Sequence, residues 1–460
     1  MRSNAQRLGK AERKYLEHYA EIEASYGASL AETNAPYPAV VVIPSYGEYE
    51  SLLQALESLP SCSVGKPLVV LVVNQRDDCP DWARTANRKL LTGLRSNPAY
   101  QGQPCVLGPG VEQLTSNDHD LVLIDRTEPG RRLPRRQGVG LARKIGTDFA
   151  FGLWASGGLE RPWFHCTDAD VLLPADYFER PTTGLVDHGS SAMTDAPAAL
   201  VLDFLHSTDE SEDAGIAILQ YELFLRYYVL GLRSARSPYA FHSIGSTLVI
   251  NPSAYAQVRG FPRREAAEDF HLLAKLAKVG RIQPLRGEPI VLSGRESTRV
   301  PFGTGRAVSL SRARAERGEA FPAYDPRNFS WLGVWLESLN ALAADPTAPI
   351  ASLLAKHAAD TQVDPTRLRR ILDRLGAIEG AQKSLQKKGD TLRSLNECFD
   401  ALATLKLIHA LRDEVHPDIP LDQALRRAEF IRLKPGFDPD RVASLEAQRA
   451  LLAKLEAANC

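Results

Sequence analysis

The chain has 460 residues, more than one hydrophobic core usually supports, so its length predicts two structural units. Hydrophobic residues make up 44% and charged residues 24%, a balance that indicates a folded globular protein and excludes a disordered or fibrous one. Because 55 Lys and Arg residues offset 56 Asp and Glu residues, no field of one sign spans the molecule to recruit nucleic acid, and we expect no nucleic-acid partner.

The N-terminal segment and the cysteines favour a cytoplasmic location. Residues 1–35 are polar with a helical period, and they lack the apolar run and small-residue cleavage site of a secretory signal. The six cysteines are scattered, without a CxxC pair or a zinc-ligand spacing, as is typical of reduced thiols. The most apolar helical stretch, 216–232, contains Glu222 and Arg226 and therefore predicts a buried amphipathic helix. We expect a cytoplasmic protein that starts with a helical segment and has no transmembrane segment.

Strands and helices alternate in the segment 36–305. A β-branched strand at 40–43 is joined by a turn at Pro44 to a helix with leucines at helical spacing. Further elements follow in chain order, with strands at 68–73 and 121–124, a helix at 138–149, and strands in WFHCTDADVLL and AALVLDFLH. This order predicts an α/β fold with a mainly parallel central sheet, in which ligands bind beyond the carboxyl ends of the strands.

The C-terminal part of the chain has a different pattern. From 329 to 460 the strand signals stop, and alanine, leucine, arginine and lysine recur at helical spacing, which predicts an all-α region. The Gly- and Arg-rich sequence 293–321 has no clear period and predicts a long loop, so we place a linker or lid at 306–328. An apolar stripe over 402–411 indicates that these helices pack on the α/β domain or form a homodimer.

Asp168, Ala169 and Asp170 form the sharpest local motif. On extended backbone, side chains two residues apart face the same way at about 6.6 Å spacing, so both carboxylates can bind one hard cation, Mn²⁺ or Mg²⁺. The apolar residues around the motif predict a buried strand-to-loop junction, where carboxylates need partners. Two acids in a surface turn are the alternative interpretation. His271 is a candidate third ligand, although a single histidine is more often structural.

Three sequence blocks follow one another in the α/β segment. They are VVVIPSYGEYESLLQALESL, DAD, and GSTLVINPSAYAQVRGFPRREAAEDFHLLAKLAKVGR. The third contains the turn Arg259-Gly260-Phe261 and, at the start of a helix, the acid pair Glu268-Asp269. In this order the blocks resemble family 2 glycosyltransferases of the cytoplasmic bacterial type, with a helical C-terminal extension. The resemblance covers about 38–305 and implies the GT-A, or nucleotide-diphospho-sugar transferase, fold.

The resemblance implies roles for residues in all three blocks. Asp168 and Asp170 would bind the metal and the diphosphate, and Asp269 would be the general base. A carboxylate is also stabilised at a helix N-terminus, so a simple N-cap is the alternative for Asp269. The residues that would lie against the nucleobase and ribose are Pro44, Tyr46 and Glu48.

The sequence departs from the family pattern after the second strand. The family usually has an acid there that holds the base, whereas here LVVLVV runs into Asn74, with Asp77 three residues further on. Either residue can replace the acid, which leaves the identity of the base open. The family's processive QxxRW motif is absent, so synthesis of long membrane polymers is disfavoured.

Arginines are candidate contacts to the sugar nucleotide. Arg143 lies in GVGLARK at the start of a predicted helix, whose N-terminus suits anions, and a solvated helix face is the alternative. Arg295 and Arg299 lie in SGRESTRVPFGTGR, where guanidinium groups match phosphate geometry. A mobile loop without a catalytic role is the alternative for these two residues.

The sequence therefore predicts a metal-dependent glycosyltransferase. It would move a sugar from a nucleoside diphosphate sugar, a UDP- or GDP-sugar, to an acceptor hydroxyl, with inversion and with Asp269 as the base. A nucleotidyltransferase is one alternative, but a Gly- and Lys-rich loop is expected there after the first strand, and PSYGEYE contains no lysine. A non-catalytic nucleotide-sugar-binding or scaffold protein is the other, and the presence of all three acid sites argues against it.

Overall fold

The computed structural model describes residues 8–186, 197–208, 211–295, 304–432 and 444–458. Within these ranges the chain divides into two units. The first unit comprises 8–186, 197–207 and 243–293, and the second comprises the remaining described residues.

A ten-stranded sheet forms the centre of the first unit. Its strands are β1 Val40–Ser45, β2 Leu68–Asn74, β3 Gln101–Gly108, β4 Val111–Thr115, β5 Asp120–Arg126, β6 Phe164–Cys166, β7 Val171–Leu172, β8 Ala199–His206, β9 Leu248–Ile250 and β10 Ile282–Leu292. Their order across the sheet is β3-β4-β5-β2-β1-β6-β9-β8-β10-β7. Seven strands run in one direction, and β4, β7 and β9 run against them. The predicted α/β class with a mainly parallel sheet is confirmed.

The sequence runs that form the central strands explain their position. Every residue of β1 and of β2 is buried, because Val, Ile and Leu fill both faces of strands that helices cover on both sides. β1 pairs in parallel with β2 and with β6, and β2 pairs in parallel with β5. The carboxyl ends of these four strands therefore meet at one edge of the sheet, where a ligand site is expected.

Nine helices occur in the described chain up to residue 276. They are α1 Lys10–His18, α2 Glu23–Thr33, α3 Glu50–Glu57, α4 Asp81–Arg95, α5 Val139–Ala155, α6 Arg180–Val186, α7 Glu212–Ser234, α8 Pro252–Gln257 and α9 Glu268–Leu276, of which α7 belongs to the second unit. Helix α2 packs tightly on α5, since a Cβ at Gly152 would lie 1.8 Å from the Ala24 carbonyl oxygen. Only glycine permits this approach, which ties the N-terminal helices to the α/β core.

The second unit is helical apart from one pair of two-residue strands. Its further helices are α10 Thr304–Glu316, α11 Arg327–Ala344, α12 Ile350–Ala358, α13 Pro365–Arg374, α14 Ala377–Leu385, α15 Thr391–Cys398, α16 Ala401–Glu414, α17 Leu421–Arg427, α18 Glu429–Arg432 and α19 Leu445–Ala458. The strands β11 Pro322–Ala323 and β12 Ile419–Pro420 pair antiparallel. Leu407, Ile408 and Leu411 of the predicted apolar stripe are buried in this unit. No helix in the described part of the chain is long and apolar enough to span a membrane.

The division differs from the predicted one in two places. Helix α7 groups with the C-terminal helices although it lies inside 36–305, because its apolar residues join their core. The first part of the segment 306–328, predicted as a linker or lid, is helical as far as Glu316 in α10. Val308 of α10 packs with Ala217 and Ile218 of α7, and this single apolar contact is too sparse to produce a visible helical period.

Candidate functional site

The side chain of Arg143 lies at the centre of the candidate site. It projects from α5, is 3% exposed, and donates from Nε to Glu268 Oε1 at 2.9 Å and from Nη2 to Asp168 Oδ1 at 2.5 Å. Its Nη1 donates to the Thr167 carbonyl oxygen at 3.4 Å. The predicted alternative of a solvated helix face does not apply to Arg143. One guanidinium instead joins the loop after β6 to the start of α9.

Two small residues complete this arrangement. A Cβ at Gly245 would lie 2.4 Å from Arg143 Nη2, so the guanidinium occupies space that only glycine leaves open. The next residue, Ser246, donates its hydroxyl to Asp168 Oδ2. Sequence reasoning assigned no role to either residue, although both belong to the GST at the start of the third block. Both oxygens of Asp168 therefore have partners in the protein.

Asp269 lies one residue beyond the buried Glu268. Helix α9 begins at Glu268, and its N-cap is Ala267, so Asp269 is in the first turn and the N-cap interpretation does not hold. Ala267 has a φ of 58°, a left-handed conformation that is uncommon for alanine and typical of constrained functional sites. Asp269 Oδ1 accepts the Phe270 backbone N–H at 2.7 Å.

Burial and mutual repulsion perturb the carboxyl groups around Arg143. Burial raises the pKa of Glu268 to about 7, with a further contribution from Asp269, and Arg143 opposes the shift. Burial also raises the pKa of Asp269, and Asp168 adds to the rise. Burial lowers the pKa of Arg143, but Asp168 and Glu268 raise it by more. When Asp168, Glu268 and Asp269 are all ionised, these three carboxylates and the Arg143 guanidinium together have a formal charge of −2.

The second acid of the motif, Asp170, lies in a turn. The turn separates β6 from β7, so the extended backbone assumed for Asp168 and Asp170 is not observed, and buried Ala169 lies between the half-exposed acids. Within the described ranges, no group of three or more His, Cys, Asp or Glu side chains is arranged to hold a metal ion. His271 is half-buried and its ring contacts the ring of Phe270 at 5.4 Å between centroids.

The donor set still fits a hard cation. Mg²⁺ and similar ions are often bound by one or two carboxylates, with water and substrate phosphates as the other ligands, which a search for three protein groups does not detect. Asp168 and Asp170 supply oxygen ligands only, and Asp168 keeps lone pairs beyond those used by Arg143 and Ser246. The excess negative charge around Arg143 favours a cation at the same place.

An aromatic pair lies at the carboxyl end of β1. Pro44 is within the buried strand, and the ring of Tyr46 lies 6.0 Å from the ring of Trp82, measured between centroids at an interplanar angle of 72°. Trp82, the second residue of α4, is 52% exposed. Gly47, with a φ of 67°, is packed so closely that a Cβ would lie 2.5 Å from the Trp82 ring. Sequence reasoning missed Trp82, because only its exposure beside Tyr46 marks it.

The remaining residues predicted near the base occupy different environments. Asn74 is buried, and its amide donates to the Ser45 carbonyl oxygen at 2.8 Å, joining the ends of β1 and β2. Glu48 is buried and accepts the Ser51 hydroxyl at 2.8 Å. Asp77 is 83% exposed and pairs with Arg132 at 3.0 Å. Asn74 thus lies at the sheet edge, whereas Asp77 lies on the surface.

Arg295, the first arginine of the Gly-rich sequence, is half-buried three residues after β10 and groups with the second unit. Arg299 lies outside the described residues.

Comparisons with known proteins do not assign a family. No family model matches the chain, and no curated protein sequence matches it. Residues 1–349 of S. aureus TarS match at 12% identity over 91% of each chain, with a TM-score of 0.33. The same fragment in complex with UDP-GlcNAc matches at 12% identity over 91% of this chain and 92% of that one, again at 0.33.

A mannosyltransferase from Pyrobaculum calidifontis, PcManGT, in complex with GDP-Man and Mn²⁺, also matches. The identity is 17% over 86% of this chain and 99% of that one, with a TM-score of 0.33. A TM-score this low carries no conclusion about activity. The fold class therefore rests on the strand order and directions above, and the function on the site itself.

Proposed function

We propose that the chain is a glycosyltransferase that moves a sugar from a nucleoside diphosphate sugar to an acceptor hydroxyl. The observation that carries the proposal is the grouping of Asp168 and Asp269, 101 positions apart in the sequence, around the buried Arg143 at the carboxyl edge of the sheet. Acids from distant parts of the chain are brought together here at the cost of mutual repulsion. Such an arrangement is typical of a catalytic site.

Asp269 is the proposed general base. Glu268 is 5% exposed and paired with Arg143, so it positions the guanidinium, whereas Asp269 is half-buried and is the acid that would meet an acceptor. Backbone N–H groups of Phe270 and Gly245 hold the Asp269 carboxylate in place. Its raised pKa strengthens it as a proton acceptor near neutral pH. A single base acting on the acceptor hydroxyl predicts inversion at the anomeric carbon.

Asp168 and Asp170 are the proposed ligands of Mn²⁺ or Mg²⁺. A divalent cation there would offset the negative charge of a diphosphate and stabilise it as a leaving group. Arg143 and Ser246 donate hydrogen bonds to Asp168, so the protein itself holds one of the proposed metal-binding carboxylates in place before a ligand binds. His271 remains a candidate third ligand.

The aromatic pair is the proposed platform for the nucleobase. Trp82 exposes about half of its surface beside Tyr46, and base–aromatic stacking contributes about 1–3 kcal/mol. Asn74 holds the end of β2 against β1 beside this platform. Stacking accepts any base, so both UDP- and GDP-sugars remain candidate donors. Arg143, Arg295 and Arg299 remain candidate residues for binding the sugar nucleotide.

A screen of UDP- and GDP-sugars tests the proposal directly. Thermal shift and donor hydrolysis would be measured with and without Mn²⁺ on the full chain and on Asp170→Ala and Asp269→Asn. We expect one class of donor to stabilise the protein, Mn²⁺ to increase this stabilisation, and Asp170→Ala to abolish it. Asp269→Asn should bind the donor but lose turnover. Asp118→Asn is the matched control, because this exposed acid precedes β5 at the opposite edge of the sheet.

The products separate the proposed reaction from its alternatives. A glycosyltransferase releases a nucleoside diphosphate, whereas a nucleotidyltransferase releases pyrophosphate when it forms the nucleotide sugar. Absence of any nucleotide response in all variants would contradict the proposal and favour a scaffold protein. An Asp269→Asn variant as active as Asp118→Asn would remove Asp269 from the mechanism.

A further inference from the structure

Two buried side-chain amides, those of Asn87 and Gln75, cross the carboxyl ends of three neighbouring strands. Asn87 lies on α4, is fully buried, and accepts the backbone N–H of Gly47 on Oδ1 at 2.9 Å. Its Nδ2 donates to the Asn74 carbonyl oxygen at 3.0 Å and to Gln75 Oε1 at 3.4 Å. Gln75 Nε2 donates in turn to the Thr127 carbonyl oxygen at 2.8 Å. One chain of hydrogen bonds therefore joins the loops that follow β1, β2 and β5.

The backbone N–H that Asn87 accepts belongs to the loop of the proposed nucleobase platform. Gly47 follows Tyr46 directly, has a left-handed φ of 67°, and lies so close to Trp82 that a Cβ would be 2.5 Å from that ring. We call Tyr46 and Gly47 the platform turn. Trp82 and Asn87 lie on the same helix, α4. One rigid element thus holds the Trp82 ring and also the amide that fixes the platform turn beside it.

The loop also contacts α4 beyond the platform turn. Lys89 Nζ lies 4.0 Å from the centroid of the Tyr49 ring, and a Cβ at Gly93 would lie 3.4 Å from the same ring. Lys89 is exposed and Tyr49 is half-buried. The Asn87 contact is directional and comes from a fully buried side chain, so it fixes the loop more strictly than these contacts do.

Removal of the Asn87 amide would leave two backbone groups without this partner, the Gly47 N–H and the Asn74 carbonyl oxygen. An unsatisfied polar group costs more free energy than a typical hydrogen bond contributes, so the platform turn would move to reach water. Tyr46 would then leave its position beside Trp82. The geometry of the aromatic pair therefore depends on a residue that is not part of it.

We propose that Asn87 is a positioning residue for donor binding, which holds the platform turn against Trp82 before the nucleotide binds. This inference rests on the proposed function. Because Asn87 is fully buried, it acts on the donor through Gly47 and not by contact. Its loss should weaken nucleotide affinity, since the protein must then order the turn on binding, and should leave the rate at saturating donor unchanged.

Calorimetry of UDP and GDP binding with Mn²⁺ tests this role on the full chain. For the nucleotide that wild type binds, Asn87→Ala should bind about tenfold more weakly, as expected when polar groups lose their partner. Hydrolysis of the corresponding nucleotide sugar at saturating concentration should keep the wild-type rate.

Gln113→Ala is the matched control, because it also removes a buried amide from the first unit. Gln113 Nε2 donates to the Tyr37 hydroxyl at 2.9 Å and to Asp120 Oδ2 at 3.1 Å. Asp120 begins β5, so these contacts lie at the amino ends of the strands, opposite the candidate site. Gln113→Ala should bind the nucleotide like wild type even where it lowers the melting temperature.

Asn87→Asp provides a second variant with a pH-dependent readout. A protonated carboxyl can accept the Gly47 N–H and donate to the Asn74 carbonyl oxygen, whereas an ionised one repels that oxygen. Burial raises the pKa of the introduced carboxyl, so it is protonated at the lower pH. The nucleotide affinity of Asn87→Asp should therefore be closer to that of wild type at pH 6 than at pH 8.

Acrylamide quenching of tryptophan fluorescence follows the platform without any nucleotide. Among the five tryptophans Trp82 is 52% exposed and the other four are buried, so quenching reports mainly on Trp82. Release of the platform turn in Asn87→Ala should increase the quenching constant. Gln113→Ala should leave it unchanged.

Wild-type nucleotide affinity in Asn87→Ala, an equal loss in Gln113→Ala, or unchanged quenching in Asn87→Ala would overturn the inference. A lower rate at saturating donor would also overturn it, because Asn87 would then act on the chemical step. So would an affinity of Asn87→Asp, relative to wild type, that does not change with pH. If wild type binds neither nucleotide yet Asn87→Ala is quenched more strongly, Asn87 still holds the platform turn, and the glycosyltransferase function is what fails.

Discussion

Replacing Arg143 by methionine tests the arrangement that holds the site together. Methionine preserves the apolar stem but leaves Glu268, 5% exposed, without its cation. Removing one partner of a buried pair costs about 3–5 kcal/mol. For a unit of this size, 1 kcal/mol corresponds to roughly 2–4 °C, so the melting temperature at pH 8 should fall by about 6–20 °C.

The pH dependence of this loss has a definite sign. In the wild-type protein burial already raises the pKa of Glu268 to about 7, against the opposing effect of Arg143. Without Arg143 that pKa rises further, so the folded variant binds a proton that the unfolded chain releases. Linkage then makes the variant more stable as the pH falls, and the penalty of Arg143→Met should be smaller at pH 6 than at pH 8.

A double-mutant cycle with Glu268→Gln completes the test. Glutamine keeps the shape and the acceptor oxygen but removes the charge, so Arg143→Met/Glu268→Gln should recover much of the loss at pH 8. Thermal denaturation followed by circular dichroism provides the measurement. Additive losses, or a penalty as large at pH 6 as at pH 8, would show that Glu268 is not held ionised by Arg143.

Three other changes have expected outcomes. Asp269→Asn should lower turnover about 10²- to 10⁴-fold with donor affinity unchanged, and the wild-type rate should rise with pH as Asp269 ionises, at a midpoint above that of an ordinary aspartate. Trp82→Ala should weaken donor binding about tenfold in calorimetry, through lost stacking. Gly245→Ala should lower melting temperature and activity by displacing Arg143, whereas Gly333→Ala, whose Cβ would meet atoms no closer than 3.6 Å, should be neutral or stabilising.

Sequence periodicity was sufficient for the central strands β1, β2 and β5 and for the edge of the sheet where the candidate site lies, but it predicted no strand at β3, β4 or β10. The apolar run of β2 and the strand-turn-helix at β1 are visible as local sequence patterns. The alternation of strands and helices then predicts that these two strands run parallel. The three acids of the motif and of α9 were identified by residue type and order. Arg143, which donates to Asp168 and Glu268, was identified as basic, but its burial depends on packing that no local pattern contains.

The features that escaped prediction arise from long-range contacts. Nothing in the local sequence distinguishes Ser246 and Gly245 from other small residues. The pairing of β9 with β6 brings them next to Asp168 and Arg143. Trp82 becomes a candidate for nucleobase binding only because the fold leaves it exposed beside Tyr46. The turn around Asp170 replaces the expected extended backbone because β6 ends at Cys166, before the motif.

The geometry of Arg143 explains why the site needs an arginine and why it retains charge for a ligand. Its Nε, Nη1 and Nη2 donate to three different partners, a fork that the single ammonium of lysine does not reproduce. One positive charge thus fixes Asp168 and Glu268, while backbone N–H groups of Phe270 and Gly245 hold Asp269. Since one cation cannot neutralise three carboxylates, the remaining negative charge favours a divalent cation, while burial, with a smaller contribution from Asp168, raises the pKa of Asp269.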